Sequence, residues 1–430
     1  IYFTYKKNLK ALLFLILLSL MGDMFKFNFF GSKIIIYQLI SLLFLPVILK
    51  HKIPKNISSI VKGIKLEYIL LVFFGIIYGF ILPWDDGEIS RSWSQKSSGR
   101  SLVALFSILS TLILVYVTFL FFIQKKVKLQ NFINVFSILI IVISTIAFFD
   151  LLFNYPIYKL LFGQDSITSA KNGRLLGFSI EPRSLGRWMV QGWCFLLIYK
   201  INGYRFKFSN ISLIMGAFVI FFTFSFSTYF LFLISIIFLL RNYILKIKIT
   251  QYLLFGLALF LGQIYFVKNQ NIYDIFKYKF DLVTLGKEDN RLLNEPAIFT
   301  QFEIFDRAAL NFFYNYPKHL IFGTGPNLIS IPSSKYIDDS AYKIFGGYLI
   351  GIPGSGLINL VSRSGFIGLI LYIFLFFKIF KYLGKNKLLK NIFSVMAINF
   401  IFSNIAWIYF IIGFVLAQQY NFNKYKNLKC

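Results

Sequence analysis

Acid is what this chain has least of. Its 430 residues include 17 aspartates and glutamates against 45 lysines and arginines, with two histidines and two cysteines. Two cysteines cannot build a disulfide framework, and the two cysteines and two histidines are scattered without the spacing of a metal cluster. Cys194 falls inside an apolar run and Cys430 stands at the basic tail, so no disulfide is expected. No Walker motif, Rossmann glycine fingerprint or Gly-x-Ser-x-Gly is present, which removes P-loop, dinucleotide and α/β-hydrolase chemistry. Charged residues of both signs reach only 14%, too few for an ordinary water-soluble domain of this length.

What fills the gap is apolar: 57% of the chain is hydrophobic and 20% aromatic. Residues 101–123 carry no charge, and 357–377 are interrupted only by Arg363. Roughly 20 apolar residues cross the hydrocarbon core, so such runs read as transmembrane helices. The pattern places spans at 9–22, 34–49, 66–82, 101–123, 132–152, 185–199, 211–223, 227–240, 251–266, 357–377, 391–403 and 405–417. The runs 211–240 and 391–417 are long for one span and short for two, giving about 10–12 in all. A turn at 223–228 divides the first, because Lys207 and Arg241 both fit the same side.

A net charge of +28 suggests nucleic acid until its distribution is read. Lys6, Lys7 and Lys10 precede the first span; Lys50, Lys52, Lys55, Lys62 and Lys65 surround the second turn. Lys125, Lys126 and Lys128, then Lys200, Arg205 and Lys207, then Arg241, Lys246 and Lys248 continue the alternation. Lys378, Lys381, Lys385, Lys387 and Lys390 follow, and Lys424, Lys426 and Lys429 close it. Against them on that side stands one acid, Glu67. By the positive-inside rule this side is cytoplasmic, with both termini in it, as expected of a multi-pass bacterial inner-membrane protein. The excess charge then needs no nucleic-acid partner. The first apolar run follows three lysines without a small-residue cleavage site and reads as a signal anchor.

Three parts follow: residues 1–266, with nine spans and a medium outer loop at 154–184; a large outer loop at 267–356; and 357–430, the last spans and tail. Within the large loop Glu295-Pro296 reads as a helix start and Pro317 as its end. Phe302, Phe305, Ala309, Phe312, Phe313 and Tyr316 recur at helical spacing, with Glu303, Arg307 and Asn311 opposite. This predicts an amphipathic helix lying on the membrane, its Phe face down and Arg307 toward water. A Gly-rich turn, Gly323-Thr-Gly325, comes after it.

The chemistry-bearing residues on the outer side are arginines near glycine: Arg174, Arg183, Arg187, Arg291 and Arg307. A guanidinium fork suits two phosphate oxygens, although any one of them could instead solvate a loop or touch anionic lipid. Glu181, ahead of Pro182, reads either as a general base for a sugar hydroxyl or as a helix cap. Arg363, six residues into a span, is costly there unless it snorkels or lines a cavity. Asp85, Asp86, Glu88 and the pair Asp338-Asp339 read as solvated turns rather than cation ligands. His319 is a lone histidine between a lysine and an apolar pair and reads as structural or exposed. The spans otherwise look nearly free of ionisable groups, which argues against an ion-coupled transporter.

Four elements in order resemble bacterial O-antigen and capsule polymerases of the Wzy type. They are Gly173-Arg174-Leu-Leu-Gly-Phe-Ser-Ile-Glu181-Pro182, Thr223-Phe-Ser225-Phe-Ser227, Arg307 followed after fifteen intervening residues by Gly323-Thr-Gly325, and Gly365-Phe-Ile-Gly368. The related O-antigen ligases place a His-(Asn/Ser/Gln) pair ahead of the last element; Gly354 and Ser355 occupy those positions here, a departure that favours the polymerase. The resemblance implies an all-α, GT-C-like membrane fold. It also implies joining of undecaprenyl-diphosphate-linked oligosaccharide repeat units into O-antigen or capsule at the outer face, with undecaprenyl diphosphate released. No cofactor or metal is expected. Glu181 and Arg307 would be catalytic; Arg174, Arg183, Arg291, Gly323, Gly325 and Arg363 would bind substrate. Membrane lipid, a chain-length regulator and a flippase are candidate partners. A ligase-like transferase, or a flippase or transporter of lipid-linked sugars, is the alternative reading.

Single reactive cysteines at Lys171 and Asp338 are expected to label from outside the cell, and at Asn56, Lys126 and Asn386 only from the cytoplasm. Labelling of Asp338 from the cytoplasm would invert the topology.

Overall fold

The computed structural model describes residues 15–17, 19–20, 26–29, 32–46, 54, 57–84, 96–123, 129–153, 175, 182–223, 225–243, 304–337, 353–402 and 405–427. Helices dominate. The exception to the expected all-α architecture is a short antiparallel hairpin, β1 (Lys26–Phe29) and β2 (Ser32–Ile35), with Lys26 opposite Ile35. The alternating Lys-Phe-Asn-Phe of β1 has the period of two that a strand needs. It leads into α1 (Ile36–Leu43).

The long helices are α2 (Ser58–Ile76, prolonged by a π turn over Ile77–Ile81), α3 (Ser97–Ile123) and α4 (Leu129–Phe153). Next come α5 (Pro182–Ile201), α6 (Ser209–Phe222) and α7 (Phe226–Tyr243). In the outer loop stand α8 (Ile304–Asn315) and α9 (Lys318–Phe322). The chain then forms α10 (Gly356–Tyr382), α11 (Lys387–Phe402) and α12 (Ile405–Asn427). Among the described residues four helices, Ser58–Ile81, Ser97–Ile123, Leu129–Phe149 and Gly356–Tyr382, are long and apolar enough to cross a membrane. The run 211–240 is indeed divided, ending one helix at Phe222 and starting the next at Phe226. Residues 251–266 lie outside the described residues.

The exterior is apolar and the interior partly polar, the reverse of a soluble protein. Ile69, Phe73 and Phe80 on α2, and Phe366, Ile370, Phe374 and Phe377 on α10, are exposed. Ser110, Thr118, Ser137 and Ser144 are buried. In lipid this arrangement is favourable, since outward Phe and Ile lose nothing, and the Ser110 and Ser137 hydroxyls donate to the Ser107 and Lys207 carbonyls. The chain is a helical membrane protein. At its centre stands α12, apolar all round from Trp407 to Ala417 and buried throughout. Its Phe414 packs edge-on against Phe122 at 4.9 Å and near Phe132 and Phe195 of α4 and α5. Gly413 lets the α3 backbone approach at Val115, where a Cβ would overlap.

Two expectations need correction. The third span was placed at 66–82, with Glu67 at its cytoplasmic end; the helix instead starts at Ser58 and buries Glu67 well inside it. Hydropathy falls at the lysines, but the backbone ladder does not: Lys62 and Lys65 sit on the exposed face while Ile60, Val61 and Ile64 are buried. The outer helix also differs. It ends at Asn315, ahead of Pro317, but it is packed into protein rather than laid with one face to water. Asp306 and Asn311, 4% and 2% exposed, are as buried as Phe312 and Phe313. The rings pack on Ile329, Ile358 and Val361, and Asp306 Oδ1 accepts the Ser355 N–H at 3.2 Å.

The described segment 304–337 is seated on a break in α10. Gly365 has φ 62° and ψ −162°, a conformation open essentially to glycine alone. The helical ladder opens there, and the Ser362 carbonyl accepts both the Thr324 N–H at 2.7 Å and the Thr324 hydroxyl at 2.9 Å. A Cβ on Gly365 would overlap the Ile321 carbonyl, and one on Gly323 would overlap the backbone at Ser364. Gly365→Ala is therefore expected to destabilise the outer region by about 1–3 kcal/mol. Faster proteolysis of the outer loop in intact protein, at unchanged membrane insertion, checks this; wild-type resistance contradicts it.

Candidate functional site

The candidate site is assembled from three segments distant in sequence. Trp84, just beyond α2, donates its indole N–H to the Thr324 carbonyl at 3.0 Å. Ser97 Oγ donates to the Trp84 carbonyl at 3.0 Å, and Arg100 of α3 bonds to Ser330. Thr324 in turn is held on the broken α10. The short loop before α3, the large outer loop and the start of α10 thus meet at the Gly323-Thr-Gly325 turn.

Around that turn stands a cluster of rings. The Trp84 ring is stacked near Tyr78 at 6.0 Å and lies 5.2 Å from the His319 imidazole. Phe312 approaches His319 at 5.3 Å, and Tyr78 does so at 6.4 Å. Phe312, Tyr316 and His319 succeed one another along one side of α8 and α9, where Phe312 also stacks on Tyr316 at 5.3 Å. His319 Nδ1 is 3.3 Å from the Gly323 carbonyl. Because a carbonyl only accepts, Nδ1 carries the proton and Nε2 the lone pair in this arrangement. Burial holds the imidazole below its ordinary pKa, against the raising effect of the Gly323 carbonyl, while Lys318 adds to the lowering. The ring is therefore neutral at pH 7.

Arg307 is half-buried on α8, the helix that carries this aromatic face. Arg363, also half-buried, is two residues before the break in α10, and its Nε has no hydrogen-bond partner among the described residues. Gly323 and Gly325, at φ 74° and 94°, form the turn packed against that break. Arg174, Glu181 and Arg291 lie outside the described residues, as does the side chain of Arg183 at the start of α5. Their neighbours are placed: Leu175 donates its N–H to the Phe222 carbonyl at 3.2 Å, and Gly186 abuts Thr228. Leu175 thereby lies beside the 223–228 break, where Ser225 and Ser227 hydroxyls are 3.2 Å apart. Helix α11 packs on both α5 and α10, between the two glycine-rich pairings.

A second polar group was not foreseen. Glu67, 3% exposed, accepts the Tyr409 hydroxyl at 2.8 Å, and Tyr409 is bonded to Tyr372. Arg363 lies within electrostatic reach of Glu67, Tyr372, Tyr409 and Tyr37. Helices α2, α10 and α12 therefore meet at Glu67, Tyr372 and Tyr409 inside the bundle. The expectation that the spans lack ionisable groups fails here. A lone Glu among lysines gave no signal of an inward-facing position. His319 had a readable one, since 312, 316 and 319 recur at helical spacing, but Pro317 hid its continuity.

Fold and site together define a helical membrane protein with a folded cap on a broken helix. No family model matches the chain, and no curated protein matches it.

Tyr409→Phe is expected to lower stability by about 1–3 kcal/mol, because it strips a buried carboxylate of a hydrogen bond. Thermal unfolding in detergent checks the loss. An unchanged melting temperature would mean that Glu67 does not depend on this hydroxyl.

Proposed function

We propose that this protein is a glycosyltransferase of the Wzy type, joining lipid-diphosphate-linked oligosaccharide repeat units at the outer face of a bacterial inner membrane. One observation carries the reading. Two of the four resembling elements, Gly323-Thr-Gly325 and Gly365-Phe-Ile-Gly368, are far apart in the chain yet interlock through Thr324 and Ser362, each requiring glycine at the contact. Near the other two, Leu175 of the first element donates its N–H to Phe222, the residue just before the second. Elements that matter to one reaction should converge in this way.

The expected chemistry is displacement of a lipid diphosphate by a sugar hydroxyl. Negative charge grows on the leaving diphosphate, and fixed guanidinium groups stabilise it. Arg307 on α8 and Arg363 at the break would serve from the described side, with Arg174, Arg183 and Arg291 from the loops. In this reading the bundle is the GT-C-like arrangement of lipid-dependent glycosyltransferases, with 10–12 spans in all. A second reading, a flippase or transporter of lipid-linked sugars, draws on the buried Glu67 and Arg363, since transport pathways use such groups.

Loss of the gene is expected to leave surface glycan at a single repeat unit, and complementation restores long chains. Loss of single-repeat glycan as well would favour the flippase or a ligase. Complementation by Arg307→Ala at normal protein level is expected to fail. Arg307→Lys should fall on the order of 10²–10³ in rate, because lysine keeps the charge but not the fork. Normal chain length from Arg307→Ala would remove this residue from the site.

A further inference from the structure

We infer that His319 is the proton acceptor of the transfer, its Nε2 receiving the proton of the attacking sugar hydroxyl in a shelf walled by Trp84, Tyr78 and Phe312. The inference rests on the glycosyltransferase reading above and assigns it a base; the sequence offered only Glu181 for that role.

The geometry has three parts. The Gly323 carbonyl fixes the tautomer by taking the Nδ1 proton at 3.3 Å, which turns the lone pair of Nε2 away from the backbone. Among the described residues no partner for Nε2 is shown. Next, the rings of Trp84, Tyr78 and Phe312 hold the imidazole from three elements at 5.2, 6.4 and 5.3 Å. Aromatic walls of this kind suit the C–H faces of a sugar ring, and Trp84 itself is pinned by its bond to Thr324. Finally, the histidine is four residues before the turn that docks beside Arg363, so base and guanidinium are tied to one rigid contact.

In the step, the acceptor hydroxyl oxygen bonds to the anomeric carbon of the donor glycan as its proton passes to Nε2. The anomeric C–O bond to the diphosphate breaks, and the electron pair leaves with the lipid diphosphate. The imidazolium then returns its proton to water. No oxidant, metal or further reactant enters the balance.

The ionisable groups on the surrounding elements are Tyr78 beyond α2, Tyr316, Asp306 and Arg307 of α8, Lys318 of α9, Lys335 bonded to Tyr316, and Arg100 and Arg363. Asp306 points to Ser355 on another flank of its helix. Partial burial, with a smaller contribution from Lys318, holds the imidazole below its ordinary pKa against the raising effect of the Gly323 carbonyl. A base of this kind works above its pKa and fails as pH falls through it.

The test uses full-length protein in membrane vesicles supplied with lipid-diphosphate-linked repeat units, measuring glycan lengthening against pH. The wild type should lose rate on the acid side below pH 6.5, the ordinary histidine value being the upper bound. His319→Asn, which can still donate to Gly323, should lose on the order of 10²–10⁴ in rate and lose that acid limb, while binding of the lipid-linked donor is retained. Glu181→Gln should keep the limb. Lengthening by His319→Asn at the wild-type rate would overturn the assignment while leaving the polymerase reading intact. If the Asn variant fails to accumulate, a wild-type profile flat from pH 5 to 7 overturns it instead. Wild-type protein that does not lengthen glycan at all defeats the polymerase reading and the base together.

Discussion

The rest of the outer structure depends on the contact between Thr324 and the Ser362 carbonyl. An unbroken α10 would spend that carbonyl on its own ladder, four residues on. The left-handed turn at Gly365 interrupts the ladder and leaves an acceptor directed at the loop. Gly323 then fits against the α10 backbone because it has no Cβ to exclude. From that one docking follow the seat of Trp84 on Thr324, the approach of the short loop before α3, and the position of His319. A break in a membrane helix is tolerated where protein covers it and re-satisfies its polar groups, which the large loop does here.

The same helix connects the outer turn to the interior. Arg363 precedes the break, while Tyr372 is farther along and is joined to Glu67 through Tyr409. A carboxylate and a guanidinium in an apolar bundle are costly when isolated, and phenolic hydroxyls offset part of that cost by bonding to the charge. The hydrogen bonds of Glu67, Tyr372 and Tyr409 join α2, α10 and α12, so the helix that carries Arg363 is held to the bundle as well as to the Gly323-Thr-Gly325 turn. In the proposed reaction this would fix a diphosphate-binding group between two constraints.

Sequence and structure diverge where burial rather than hydropathy decides. A window of hydropathy ends a span at Lys65 because it averages over all faces; the α2 helix continues because Lys62 and Lys65 share its exposed side. The same averaging left Glu67 at a boundary. The amphipathic pattern of α8 correctly separates an aromatic face, yet the opposite face is covered by Ser355 and its neighbours, so Asp306 and Asn311 are buried polar groups rather than solvated ones. Periodicity reports a difference between faces and says nothing of what lies against each.

By itself the sequence determined the membrane character, the alternation of basic clusters, the division of 211–240 at its Thr-Ser-rich turn, and the glycine positions at 323, 325 and 365. These follow from local chemistry: apolar length against bilayer thickness, and backbone conformations that side chains forbid. Only the tertiary structure decided which elements meet. Glu67 with Tyr409, His319 with Trp84, and Thr324 with Ser362 are joined across long stretches of chain, and no local propensity encodes such pairs. They form because a buried donor or acceptor without a partner is expensive, and the fold that satisfies these groups together is the one adopted.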